Sequence, residues 1–112
     1  MVSNNKTIQV KENCKIYIMS PANVATGGPE ALHQLAFTLK NSLKLNTFIY
    51  YVPQTKQNPI HDNYKMYSIN FVKEVEDDPN NILIVPEYFE FLQIAKKFNK
   101  IQKAIWWLSI DN

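Results

Sequence analysis

Gly27 and Gly28 are the only glycines in the chain, and they stand together in "ATGGPEALHQL", residues 25–35, directly before a helical pattern. A chain of this length ordinarily carries about eight, at a usual frequency of about 7%. A glycine pair between a strand and a helix has a mechanical use. It permits positive φ, lets the backbone approach a ligand, and leaves the first N–H groups of the helix for an anion or a sugar hydroxyl. Pro29 removes one of those donors, and a tight turn with close helix-to-sheet packing is the alternative use of the pair.

Other residues that could do chemistry are few. His33 lies near the start of the same helix, where it could accept a proton from an acceptor hydroxyl or could be a satisfied packing residue. His61 sits in a polar loop. Glu87 follows the apolar run "ILIVP", and Asp111 and Asn112 follow "AIWWL". "EVEDD" (Glu74 to Asp78) supplies four acids in five residues, but lacks the ordering glycine and spaced ligands of a calcium loop and reads as a solvated turn. The two histidines are 28 positions apart and only His61, beside Asp62, has an acid at ligand spacing, so no metal is expected. Cys14 has neither a histidine nor a helix N-terminus beside it, which argues against a catalytic thiolate.

The elements that position these residues follow from periodicity. "KIYIMS" (15–20) reads as a buried strand ended by Pro21. Leu32, Leu35, Ala36, Leu39 and Leu43 mark one face of a helix that runs from Pro29 to about Ser42, with Glu30 favourably placed in its first turn. Thr47 to Val52 is a second strand stopped by Pro53, and "QTKQNPIHDN" is a loop. Between Tyr64 and Val75 the alternation of Tyr67, Ile69 and Phe71 favours a strand over a helix. Ile82 to Val85 is a continuous apolar run, as in a parallel strand covered on both faces. Pro86 and Glu87 open a helix to about Phe98, and Ala104 to Leu108 is the last strand.

Alternating strands and helices predict an α/β fold: a Rossmann-like open, mostly parallel sheet of four to five strands with helices on its faces. In such sheets ligands bind beyond the carboxyl ends of the strands, near the point where strand order reverses. The segment from Ser20 to Gly28, then Glu87, and then Ser109, Asp111 and Asn112 all fall at those ends. Neither G-x-G-x-x-G nor a P-loop Lys-Ser/Thr is present, which excludes the usual dinucleotide and nucleoside-triphosphate fingerprints.

With 112 residues, 46% hydrophobic and 20% charged, the chain has the dimensions of one domain, preceded by a polar lead over residues 1–14. The net charge of +2 comes with scattered lysines and no arginine, unlike the clustered footprint of a nucleic-acid binder. One cysteine allows no internal disulfide and points to a reducing compartment. The start lacks the apolar region of a secretory signal, and no apolar run approaches the roughly 20 residues of a membrane span. Trp106 and Trp107, adjacent in a strand, face opposite sides. Either both are covered by helices, or one face awaits further chain, which leaves a sheet edge prone to self-association.

Taken in order, "IYIMSPANVATGGPEALHQLAFTLKN", the second strand, "NNILIVPE", the next helix and "AIWWLSIDN" resemble the N-terminal domain of GT-B glycosyltransferases, most closely those of bacterial surface-polysaccharide, capsule and lipopolysaccharide synthesis. The resemblance spans residues 15–112. It implies the acceptor-side half of a two-domain enzyme that moves a sugar from a nucleotide-sugar to a glycan. The donor-binding half would be missing, so this half would be inactive alone. It also implies a cytoplasmic chain that can work at the periphery of the inner membrane. No cofactor is implied, and the nucleotide-sugar is a substrate. Thr26, Gly27, Gly28, Glu87, Asp111 and Asn112 would line the substrate cleft, with His33, Glu87 and Asp111 the candidates for a base. The alternative is a stand-alone Rossmann-like or flavodoxin-like module that binds or regulates without catalysis.

Overall fold

The computed structural model describes residues 8–22, 27–52 and 59–106. Five strands build one sheet: β1 (Lys15–Pro21), β2 (Asn46–Val52), β3 (Phe71–Val72), β4 (Ile82–Pro86) and β5 (Gln102–Trp106). Their order is β3-β2-β1-β4-β5, and every adjacent pair is parallel. The fold is therefore the expected Rossmann-like α/β sheet. β1 is central, paired with β2 from Lys15↔Asn46 to Pro21↔Val52 and with β4 from Ile16↔Ile82 to Ile18↔Ile84.

Alternation along these strands divides the core between two faces. Ile16, Ile18, Ile49, Tyr51 and Ile82 face α1 (Gly27–Phe37), whose Leu32 and Ala36 are fully covered. Tyr17, Met19, Leu83 and Val85 face α2 (Phe89–Ala95), which contributes Phe91 and Ala95. Each large aliphatic side chain removed from water in this way contributes about 1.5–3 kcal/mol before the entropy of ordering is set against it. A strand covered on both faces needs the unbroken apolar sequence of β1 and β4, and that run is what made both legible.

Four elements differ from the sequence expectation, the simplest being β5, which begins at Gln102 and not at Ala104. α1 begins at Gly27, so Pro29 is its third residue, still within the first turn where backbone N–H groups lack intrahelical partners. It continues as a π turn over Thr38–Ser42, closed by Leu43 N–H to Thr38 O at 3.2 Å. This wider turn breaks the 3.6-residue phase, and Leu43, expected on the inner face, is exposed. The stretch from Tyr64 to Val75 is not one strand. Residues Asp62–Tyr67 form a 3-10 turn, started by the His61 side chain accepting Asn63 N–H, and only Phe71–Val72 pair with β2. Pro86 closes β4 instead of opening a helix. Tyr88 N–H donates to Pro86 O at 2.8 Å, a three-residue turn centred on Glu87, and α2 starts only at Phe89. The helix also stops earlier, at Ala95 instead of Phe98.

The acidic run is part of the scaffold at the amino edge of the sheet. The Asp77 carboxylate accepts the backbone N–H groups of Asn99, Lys100 and Ile101 at 2.8 to 3.0 Å, fixing the entry to β5. Glu76 pairs with Lys15 at 3.3 Å. Buried Asn81 accepts Lys15 N–H through Oδ1 and donates through Nδ2 to Glu76, tying the start of β1 to the loop before β4.

Candidate functional site

β1→β2 moves one way across the sheet and carries α1 on one face. β4→β5 moves the other way and carries α2 on the opposite face. The connections from β1 and β4 therefore lead to opposite faces of the sheet, the arrangement that in open α/β sheets leaves a crevice between the two strand ends. This is the reversal point at which open α/β sheets receive ligands. Ser20, Pro21 and Ala22 stand on the β1 side, with Ser20 fully buried and its hydroxyl 3.2 Å from Pro21 O. Glu87, half-buried, stands on the β4 side at the turn made by Pro86 and Tyr88. Burial raises the phenol pKa of Tyr88 above its ordinary value, and the Glu87 carboxylate beside it adds to the shift.

The glycine pair occupies the first two positions of α1, and no described glycine has positive φ. Gly28 is buried, as is Pro29 behind it. The side-chain-free position thus lets the first turn of the helix lie close against its neighbours. Left-handed backbone occurs instead at Asn13, Lys44 and Ser68, with φ of 67°, 58° and 53°. Thr26, Asp111 and Asn112 lie outside the described residues, as do Trp107 and Ser109.

His33 is not open to the crevice. It is 2% exposed, enclosed between α1, β2 and the 3-10 turn. Nδ1 is 2.7 Å from Pro29 O and Nε2 is 2.7 Å from the Tyr51 hydroxyl. Its ring lies flat on Tyr64, with centroids 4.0 Å apart and planes at 15°. Desolvation lowers its pKa, against smaller upward pulls from Pro29 O and the Glu30 carboxylate. Both nitrogens are engaged within the core, which is the geometry of a satisfied packing residue, one of the two uses the sequence leaves open for His33. Around it, Tyr67 Oη and Gln34 Nε2 both donate to Glu30 Oε2, at 2.8 and 3.0 Å. Sequence reasoning did not foresee this group. Tyr51 read only as a strand residue, and Tyr64 and Tyr67 were assigned to a strand that would have carried them elsewhere.

At the opposite, amino edge, Lys11, Asn13, Cys14, Lys44 and Asn46 border an open hollow of about 400 Å³. Among the described residues no three histidine, cysteine or acidic side chains come together to hold a metal ion, and no helix is long and apolar enough to cross a membrane. Comparison with family models, curated proteins and solved structures returned no match.

Proposed function

We propose that this chain is the acceptor-side domain of a sugar-transferring enzyme, using the crevice between the carboxyl ends of β1 and β4 to hold a glycan beside a nucleotide-sugar. The observation that carries the reading is the all-parallel order β3-β2-β1-β4-β5, whose reversal falls between β1 and β4. Ligand binding at such a reversal is general to the architecture. The sugar as ligand rests on the resemblance of the β1–α1, β4 and β5 segments to GT-B N-terminal domains.

Within this reading Glu87 is the one described acidic group at the crevice suited to meet a sugar hydroxyl. A half-buried carboxylate there accepts hydrogen bonds from two adjacent hydroxyls and orients the acceptor. It can also take the proton as the attacking oxygen is released.

A second reading is supported by His33. With its imidazole fully engaged in the core, the described crevice offers groups for binding more readily than for proton transfer. A binding or regulatory module without catalysis needs no more than that. Calorimetric titration with UDP, UDP-glucose and a set of short oligosaccharides distinguishes the two. Oligosaccharide binding without nucleotide, weakened by Glu87→Gln, is the result expected of an acceptor-side domain. Binding of UDP alone favours the module, and binding of none of the three removes the sugar reading.

A further inference from the structure

We propose that His33, Tyr51 and Tyr64 form a proton-operated latch that holds the first turn of α1 and the 62–67 turn against the end of β2 only while the imidazole is neutral. The latch does not depend on the sugar reading.

The hydrogen-bond chemistry leaves one neutral arrangement. Pro29 O can only accept, so the proton of the neutral ring is on Nδ1. Nε2 is then the acceptor, and the Tyr51 hydroxyl donates to it. Each hydrogen bond joins α1 to something different: Nδ1 to its own first turn, Nε2 to β2. The ring face meets Tyr64 of the 3-10 turn, and Tyr51 in turn meets Phe71 of β3 edge-on at 5.9 Å. In this state no buried side-chain nitrogen or oxygen among the described residues lacks a partner.

A proton from solvent on Nε2 reverses that bond. Tyr51 must turn its hydroxyl to accept, and its own hydrogen then needs another acceptor in a buried setting. An unmet buried donor and a buried cation are both costly. The ring is in contact with Tyr51 from β2 and Tyr64 from the turn, and the Glu30 carboxylate of α1 acts on it through its charge; Tyr67 and the His61 imidazole lie one contact further out, on Glu30 and on Tyr64. The Lys65–Asp62 ion pair, 2.8 Å long, lies on the exposed side of the same turn. Apart from that ion pair, Glu30 is the one anion among these groups, and its charge is shared with Tyr67 and Gln34. Burial of the imidazole outweighs its pull.

The sign follows. A histidine held below its ordinary 6.5 contributes stability in full above that value and loses it as pH falls toward the folded-state midpoint. Acidification therefore loosens the first turn of α1 and the 62–67 turn together, and moves the wall of the β1–β4 crevice with them.

The test uses histidine-ring ¹⁵N spectra and amide hydrogen exchange on the whole chain between about pH 8 and about pH 5, the range over which an ordinary imidazole titrates. The His33 signals, identified by their loss in His33→Gln, should show the Nδ1–H tautomer and a midpoint below that of free histidine. Tyr51→Phe removes the donor to Nε2 and should move the midpoint upward. Opening reported by the amides of residues 31–33, the first to bond back to the first turn of α1, and of residues 62–67, corrected for intrinsic rates, should rise on acidification and saturate near the folded-state midpoint. The total rise is about tenfold for each unit that the midpoint lies below the free value. His33→Gln should abolish that pH dependence. An Nε2–H tautomer, or exchange in these segments that does not change with pH, overturns the latch. If His33→Gln does not fold, the wild-type tautomer and the Tyr51→Phe shift still decide it.

Discussion

The Tyr51 hydroxyl lies 2.7 Å from His33 Nε2, so the carboxyl-terminal end of β2 is bonded directly to the first turns of α1. Both partners are buried, at 4% and 2% exposure. Replacing Tyr51 by Phe keeps the ring and its contacts but leaves Nε2 without a donor. The expected loss is about 1–3 kcal/mol of unfolding free energy, measured as a lower urea midpoint with an unchanged slope. An unchanged midpoint would mean that the bond contributes no net stability.

Asp77 gives a prediction with a definite pH sign. Desolvation pulls its carboxyl pKa upward, but the N–H groups of Ile101, Asn99 and Lys100, with the Lys100 ammonium, outweigh it and hold it below the ordinary carboxylate value. The stability it contributes is present above the unfolded value of 3.8 and is lost as pH falls through the folded one. Asp77→Ala should lower Tm at neutral pH, and the gap from wild type should close in acid. A gap that does not vary with pH would show that the carboxylate charge is not what holds the 99–101 turn.

The backbone strain of this chain is carried away from its glycines. Lys44 and Ser68 occupy the left-handed region at about 1–2 kcal/mol each for residues with a Cβ. Glycine at either position should raise stability by up to about 1 kcal/mol once its greater freedom in the unfolded chain is counted. Gly28→Val should do the reverse, costing about 1–3 kcal/mol by overpacking a buried helix start. Thermal melts of the three variants check both signs.

Much of this architecture was legible because burial writes itself plainly into parallel strands. "KIYIMS" and "ILIV" are buried almost throughout and "NTFIYYV" alternates between buried and half-buried positions, and the parallel direction of β4 leaves Glu87 at the carboxyl edge. The region from Tyr64 to Val75 was misread because Tyr67, Ile69 and Phe71 alternate in sequence for unrelated reasons. Tyr67 packs on Phe37 and bonds Glu30, Ile69 joins the α1-side core, and Phe71 meets Tyr51 edge-on from the edge strand. Periodicity cannot separate such contacts from a strand. His33 was ambiguous for a similar reason. Whether a helical histidine faces a ligand or a tyrosine depends on a partner 18 positions away, which no local pattern records.

The glycine pair illustrates a further limit. Its rarity marked the start of α1, but composition does not distinguish a position that needs positive φ from one that needs no side chain. Burial of Gly28 together with its helical backbone favours the second.

Chemical-shift mapping tests the central claim, that ligands meet this chain at the β1–β4 crevice, most directly. Uniformly ¹⁵N-labelled protein is titrated with UDP-glucose and with short oligosaccharides. Binding at this crevice should perturb a cluster made up of the amides of Ser20, Ala22, Gly28, Glu30, Glu87 and Tyr88. Perturbation centred instead on the amino-edge hollow of Lys11, Asn13, Lys44 and Asn46, or no perturbation by any of these probes, would contradict it.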